Sequence, residues 1–483
     1  MSDQPAPPGI PEDDWAATPL TVRVLVTSLL DRVARLEEHV RQTSRTSSKP
    51  PSSDPPSAPP RPARRPSGRK TGGQPGHEGH GRALLPAEQV DQIVDVQPEA
   101  CAQCGALLRG EDAQPARHQV TELPRVVPAV TEYRRHTLTC AACGARTQAP
   151  WPEEMPQGCF GPRAQATVAY LTGRQGISQR DAQEALRTLF HLEVSLGSIA
   201  ALEQQVSAAV AAPVDVAHTY VQTQHLVNVD ETGWREGTTR LWLWVGVTTL
   251  VSVFLLRATR GSQGAKDLLG ATFRGIVGSD RWSAYTWVDV TRRQLCWAHL
   301  LRDFTAFTER GGGSTRIGQA LLDTTDEMFA LWYRVRVGTL SRAEFQRAMV
   351  PLQTQVGALL REGVALEYAK TRHTCEHILK LEGALWTFVA VAGVEPTNNA
   401  AERALRRAVL WRRRSFGTQS AAGSCFVERL LTVVTTLRQQ ERDVLDYLTE
   451  ACAALIRGLP PPSLLPNTLA LTGSAPAPFP VAA

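Results

Sequence analysis

Asp230, Asp280 and Glu402 are the residues whose type and placement could do phosphoryl chemistry. Asp230 ends a short expected strand, Leu226 to Val229, and Asp280 ends another, Gly275 to Gly278. Glu402 falls in the first turn of a helix expected much later, from Asn399 to Arg414. Strand ends set carboxylates at a sheet edge, and a helix crossing that edge can bring a third. Carboxylates converging in this way can hold two hard cations about 3.5–4 Å apart, which activate an attacking oxygen and stabilise a leaving one. Each acid also has a plainer role open to it. Asp230 could begin the turn Asp-Glu-Thr-Gly, Asp280 could cap a following helix, and Glu402 could close a capping box with Asn399. Glu231 should face away from Asp230 if the strand persists, because successive strand side chains alternate.

The helix of Glu402 is strongly basic. Arg403, Arg406, Arg407, Arg412, Arg413 and Arg414 follow within twelve residues. A solvated helix face alternates signs, whereas this one does not, so it fits a polyanion held against the acids. His299 and Arg302 lie three apart on an expected helix and could touch a scissile phosphate or simply form a surface pair. No glycine-rich phosphate loop, Gly-x-Ser-x-Gly elbow or His-Glu-x-x-His motif competes with this reading.

Cysteines supply a second chemistry. Cys101-x-x-Cys104-Gly-Ala and Cys140-x-x-Cys143-Gly-Ala are near copies. Two cysteines at this spacing turn both sulfurs toward one point, and four of them make a closed tetrahedral site for structural Zn²⁺. The 35 residues between the pairs require a long hairpin, expected as strands from His118 to Leu123 and Val130 to Leu138. Cys159, Cys296, Cys375, Cys425 and Cys452 stand alone and read as core.

The elements that must position these groups follow from periodicity. The chain has 483 residues and a net charge of +5, enough for about three domains. No apolar run is long enough for a membrane span, and the acidic start (Glu12, Asp13, Asp14) is unlike a secretory signal, so a cytoplasmic location is expected. Val22, Val26, Leu29, Val33, Leu36 and Val40 form an a/d seam, predicting a coiled-coil helix over 20–42 and a homo-oligomer. Residues 43–88 read as a disordered basic linker. Its neighbourhood from Arg41 to Arg82 carries nine Lys or Arg against Asp54 and Glu78, and Arg61, Arg64, Arg65, Arg69 and Lys70 form a candidate arm along DNA phosphates. The Cys₄ zinc module spans 89–152. Three helices over 160–212 fit a helix-turn-helix segment. From 222 to 422 the pattern is a mixed α/β core in the order β-β-β-α-β-α-β, with Trp242 and Trp244 alternating into its interior and a helical stretch over about 297–392. A C-terminal helical region, 423–458, and a disordered tail, 459–483, complete a multidomain α+β chain.

Taken together these stretches resemble a known family. Gly-Gly-Gln-Pro-Gly-His-Glu-Gly-His, the two Cys-x-x-Cys-Gly knuckles, Ser-Gln-Arg-Asp-Ala-Gln-Glu-Ala-Leu, Val-Asp-Glu-Thr-Gly-Trp, Ser-Asp-Arg-Trp-Ser-Ala-Tyr, Cys-Trp-Ala-His-Leu-Leu-Arg-Asp-Phe and Asn-Asn-Ala-Ala-Glu-Arg-Ala-Leu-Arg occur in family order between about Leu20 and Leu448. The chain resembles the insertion-sequence sixty-six family of bacterial DDE transposases, TnpC type. The resemblance implies a ribonuclease H-like core, Asp230, Asp280 and Glu402 as catalytic acids holding Mg²⁺ or Mn²⁺, and 297–392 as a helical insertion before the last acid. It also implies cleavage at transposon ends followed by strand transfer into target DNA, in a bacterial, nucleoid-associated setting, and leaves open a need for co-encoded helper proteins. In the family the second Asp is usually followed by a Gly or aromatic residue; here Arg281 and Trp282 follow, and no ligand is lost. A DNA-binding repressor derived from such an enzyme, or a nuclease that cleaves without joining, are the alternatives.

Overall fold

The structure is a computed structural model and describes residues 6–7, 9–41, 82–156 and 158–466. Arg61, Arg64, Arg65, Arg69 and Lys70 lie outside the described residues. After a short helix α1 (Glu12–Ala17), α2 runs from Leu20 to Arg41. Its apolar seam is open to solvent at Val22, Leu29 and Val33.

The described residues from Arg82 to Ala129 belong to a unit of their own. In it Cys101 and Cys104 occupy a tight turn flanked by the bridge Ala100–Leu107, and Leu85 is tied to Arg117 and Gln119. The second knuckle belongs to the other unit, where β1 (Thr137–Thr139) and β2 (Arg146–Gln148) pair antiparallel around Cys140 and Cys143. The strand expected from His118 to Leu123 does not form, and the one from Val130 to Leu138 is reduced to its last residues. Val120, Leu123 and Val130 are all more than 80% exposed. An alternating pattern becomes a strand only when one face has something to cover it.

Helix α3 (Pro162–Ala169) runs on into a π turn, Tyr170–Arg174. Ser178 caps α4 (Gln179–Phe190) by accepting the Asp181 N–H at 3.1 Å, and Ser195 caps α5 (Leu196–Ala209) in the same way. His191 turns the chain between them in the left-handed region, φ 49°. Val168, Ala182, Leu186, Val194, Ile199 and Leu202 close a small core among these helices. Helix α6 (Ala211–Gln222) leads into the sheet.

Five strands make that sheet: β3 (Leu226–Glu236), β4 (Thr239–Val247), β5 (Ser252–Arg257), β6 (Ile276–Ser279) and β7 (Arg293–Leu295), in the order β5-β4-β3-β6-β7. The first three are antiparallel; β6 and β7 run parallel to β3. Helix α7 (Ser262–Leu269) crosses from β5 to β6. Between β6 and β7 the expected helix is replaced by two 3-10 turns, Ser283–Tyr285 and Val290–Arg292. Trp282, Tyr285 and Val288 recur every three residues, and Tyr285 and Val288 are buried. That spacing suits the 3-10 repeat rather than the α repeat.

Period two sorts the two faces of the sheet. Val227, Val229, Trp244 and Val253 pack under α6, α7 and the C-terminal helices α14 (Ala421–Gln439) and α15 (Val444–Ile456). Leu243, Val245, Phe254 and Leu256 face α13 (Asn399–Ser415) and the other side of α14. Between β7 and α13 stands a helical lobe: α8 (Trp297–Thr308), α9 (Gly312–Arg336), α10 (Arg342–Val364), α11 (Ala369–Leu379) and α12 (Thr387–Ala390). It has a separate core that includes Phe304, Phe345, Trp332 and Phe388. Past α15, Leu464 is buried and Pro462 accepts the Tyr447 hydroxyl at 2.8 Å, so the start of the expected tail lies against the C-terminal helices.

Candidate active site

The register of β3 on β6 pairs Leu226 with Ile276, Val227 with Val277 and Asn228 with Gly278. Two residues further on, Asp230 on β3 and Asp280, the residue after β6, stand at matching heights. Contrary to expectation, β3 does not end at Asp230. It runs on to Glu236, because the β4 hairpin pairs with it out to Glu236–Thr239. Asp230 therefore starts no turn. Asp280 does take part of its plainer role, accepting the Trp282 N–H at 2.9 Å.

Glu402 is brought in by a pinned helix start. The Asn398 side chain donates to the Val229 carbonyl at 2.6 Å, and its backbone N–H donates to Cys296 Sγ at 3.2 Å. Just before it, Pro396 accepts the Trp297 N–H at 2.9 Å. Asn398 makes no side-chain cap to α13, so no capping box forms around Glu402. Instead the Glu402 carboxylate faces α8: Oε1 is 3.5 Å from His299 Nδ1, and Oε2 is 4.0 Å from Arg302 Nη2. Glu402 Oε1 and His299 Nδ1 are both buried without a hydrogen-bond partner.

The electrostatics are those of crowded negative charge. Burial first, then Glu231, Asp280 and Glu402, push the Asp230 carboxyl well above the usual carboxylate range. Burial and Arg302 pull His299 below its ordinary value. The site can relieve this strain by taking up a cation. Among the described residues, Cys296, His299 and Glu402 bring their ligand atoms within 4.8 Å of one another; the three acids do not form so tight a group by themselves. Burial raises the Cys296 thiol to about 11, so it keeps its proton at neutral pH.

On the reverse face of β3, Glu231 is almost fully enclosed, as alternation requires. It accepts from Arg260 Nε at 2.8 Å and from the Tyr285 hydroxyl at 2.7 Å. Arg260 in turn lies over the rings of Trp242 and Trp282, 4.8 and 4.1 Å from their centroids. Asp280, Arg281, Trp282, His299, Arg302, Asp303 and His377 line a cleft of about 260 Å³. Arg281 ties its lining together by bonding both Asp303 of α8 and His377 of α11. Asn398 and Tyr285 lie inside the motif stretches, but their roles, like that of Arg260, depend on contacts across the fold that spacing alone does not reveal.

Helical phase separates the six arginines of α13. At about 100° per residue, Arg412 shares the inner side with Ala401, Leu405 and Ala408, which are buried on the sheet. It donates to Thr232 Oγ1 at 3.1 Å and to the Gly233 carbonyl. Arg407, half-buried, donates to the Arg174 carbonyl at 2.9 Å, and burial with the nearby Arg174 and Arg438 lowers it to about 10, still cationic at neutral pH. Arg403, Arg406, Arg413 and Arg414 are exposed. These four lie on the side of the helix away from Ala401, Leu405 and Ala408, while Glu402 lies between the two sides, toward α8.

Each cysteine knuckle has the same local geometry. Gly105 and Gly144 both sit at φ 71°, closing a turn back onto Cys101 and Cys140. Backbone amides of Cys104 and Gln103 lower the Cys101 thiol, and those of Ala142 and Cys143 lower Cys140. Amides aimed at a thiol favour the thiolate, the form that ligates a metal.

Residues 157–425, more than half of the chain, match the family model described as Transposase IS66 family. Residues 12–83 match a family model of unknown function. A protein of Sinorhizobium fredii, described as uncharacterized protein y4hP, is 24% identical over 404 residues, 76% of this chain and 72% of its own length. A second from the same organism, uncharacterized protein y4qI, is 27% identical over 253 residues, 46% of this chain and 45% of its own. The class is that of transposases, proteins that act on DNA. This chain belongs to the IS66 transposase family.

Proposed function

We propose that the chain is a DNA transposase of the TnpC type that cuts transposon ends and joins them to target DNA, with a ribonuclease H-like core. The observation that supports this reading is the crowding of Asp280 and Glu402 around the buried carboxyl of Asp230, where β6 ends beside β3 and α13 begins. The donor set fits Mg²⁺ or Mn²⁺: hard carboxylate oxygens, two buried polar atoms without partners, and one acid pushed well above the usual carboxylate range by burial and by its acidic neighbours. With cations bound, the site would supply the activation that phosphodiester hydrolysis and then transesterification need. Asp230, Asp280 and Glu402 hold the charge. His299 and Arg302 orient Glu402 and face the same cleft, where a scissile phosphate would meet them. Arg403, Arg406, Arg413 and Arg414, with the arm at Arg61, Arg64, Arg65, Arg69 and Lys70, bind DNA phosphates. Arg407 and Arg412 hold the helix that presents them. The helices over 160–212 act as the helix-turn-helix, and the four cysteines of the knuckles hold one structural Zn²⁺. Among the described residues no helix is long and apolar enough to cross a membrane, which is in keeping with action on cytoplasmic DNA.

The test uses labelled duplex carrying a transposon end. Asp230→Asn, Asp280→Asn and Glu402→Gln should each lower cleavage and joining by about a hundredfold or more while leaving end binding near normal. Chelation of divalent metal should do the same. Glu395→Gln is the control, since Glu395 bonds Trp332 in the helical lobe and should stay active. Binding without cleavage by the unaltered protein would favour the repressor, and cleavage without joining the nuclease. Full activity of Glu402→Gln would remove it as the third acid.

A further inference from the structure

Helix α13 ends in an exposed aromatic residue held in an unusual backbone state. Phe416 caps the helix with φ 59° and is 79% exposed. A bulky residue in the left-handed region is costly, and glycine or asparagine is the usual choice there. Solvent exposure of a Phe ring adds a second cost. Neither is offset by packing of the ring.

The surrounding chain fixes this posture. Phe416 N–H donates to the Arg412 carbonyl at 2.8 Å, closing the helix. The next residue, Gly417, passes so close to β3 that a Cβ there would lie 2.1 Å from the Arg235 carbonyl oxygen. Thr418 then pairs with the end of β3, donating to Arg235 and accepting from Gly237. The ring is thus presented by a clamped turn. Its approach is lined by Arg403, Arg406, Arg413 and Arg414, with exposed Leu410 between them.

We propose that Phe416 is a DNA-contacting wedge that stacks on, or inserts beside, a base of duplex DNA lying along α13. The inference rests on the reading of that face as a DNA surface. Cationic flanks select a polyanion, and of the parts of DNA only the bases offer an apolar face to a ring. The fourteen-residue separation from Glu402 spans about 21 Å along a helix axis. The contact therefore falls about six base steps from the acids.

Phe416→Gly is the informative substitution, because it removes the ring and relieves the backbone in one step. Its melting temperature should rise, and its affinity for a transposon-end duplex should fall about ten- to a hundredfold. Stacking releases no counterions, so the slope of log K against log salt should stay unchanged. Phe416→Trp should keep the affinity, with its added fluorescence quenched by the duplex. A folded Phe416→Gly with unaltered affinity overturns the proposal. So does a changed salt slope, which would assign the effect to phosphates, or a drop in oligomeric mass without DNA, which would assign the ring to a second copy of the chain. If the unaltered protein binds neither end nor scrambled duplex, it is the DNA-surface reading that fails.

Discussion

Arg412 and Arg406 lie on the same basic helix, yet their side chains do different work. Arg412 reaches inward to Thr232 Oγ1 and the Gly233 carbonyl, two and three residues past Asp230 on β3. Arg412→Ala leaves those acceptors half-buried and should cost about 1–3 kcal/mol, read as a lowered urea midpoint. Its salt slope for DNA binding should stay as in the unaltered protein. Arg406→Ala should change stability by less than about 0.5 kcal/mol and flatten that slope by about 0.9. A count of arginines in the sequence could not separate the two; helical phase relative to the buried Ala401, Leu405 and Ala408 does. Glu231 was legible for the same kind of reason, since period two turns it away from Asp230. Asn398 and Arg260 were not, because each gains its partner from an element more than twenty-five residues away.

At the scale of elements, β4 to β7 were readable to within a residue or so because one face of each pattern meets a core, whereas β3 runs six residues past its expected end at Asp230, carried on by its pairing with β4. What failed was the segment without a core. The strand expected from His118 to Leu123 needed a covering layer that none of its exposed residues meets. The two knuckles, by contrast, form from local rules alone: a Cys-x-x-Cys turn closed by glycine at positive φ. If both bind the same ion, elemental analysis should find about one zinc per chain. Cys101→Ser with Cys140→Ser should lose it and expose residues 89–152 to proteolysis. Full metal retention in the double variant would refute a four-cysteine site.

For the whole molecule, α2 presents its apolar seam to solvent in a single chain. Three heptads bind weakly alone, so the consequence should be sought in the full protein. Leu29→Asp with Leu36→Asp should lower the mass measured by light scattering, and an unchanged mass would leave oligomerisation to another surface. The closed base of the helical lobe has a different consequence, for folding order. Asn398 meets Val229 across 169 residues of chain, a contact that would be slow and entropically costly to make if the intervening chain were loose. The bond from Trp297 to Pro396 shortens that path, because a lobe folded on its own core arrives with its two ends already together. Maturation of the protein then has a required sequence: the lobe first, Glu402 second. A weakened lobe should show its defect as slow acquisition of competence after refolding, before any loss of the sheet is visible.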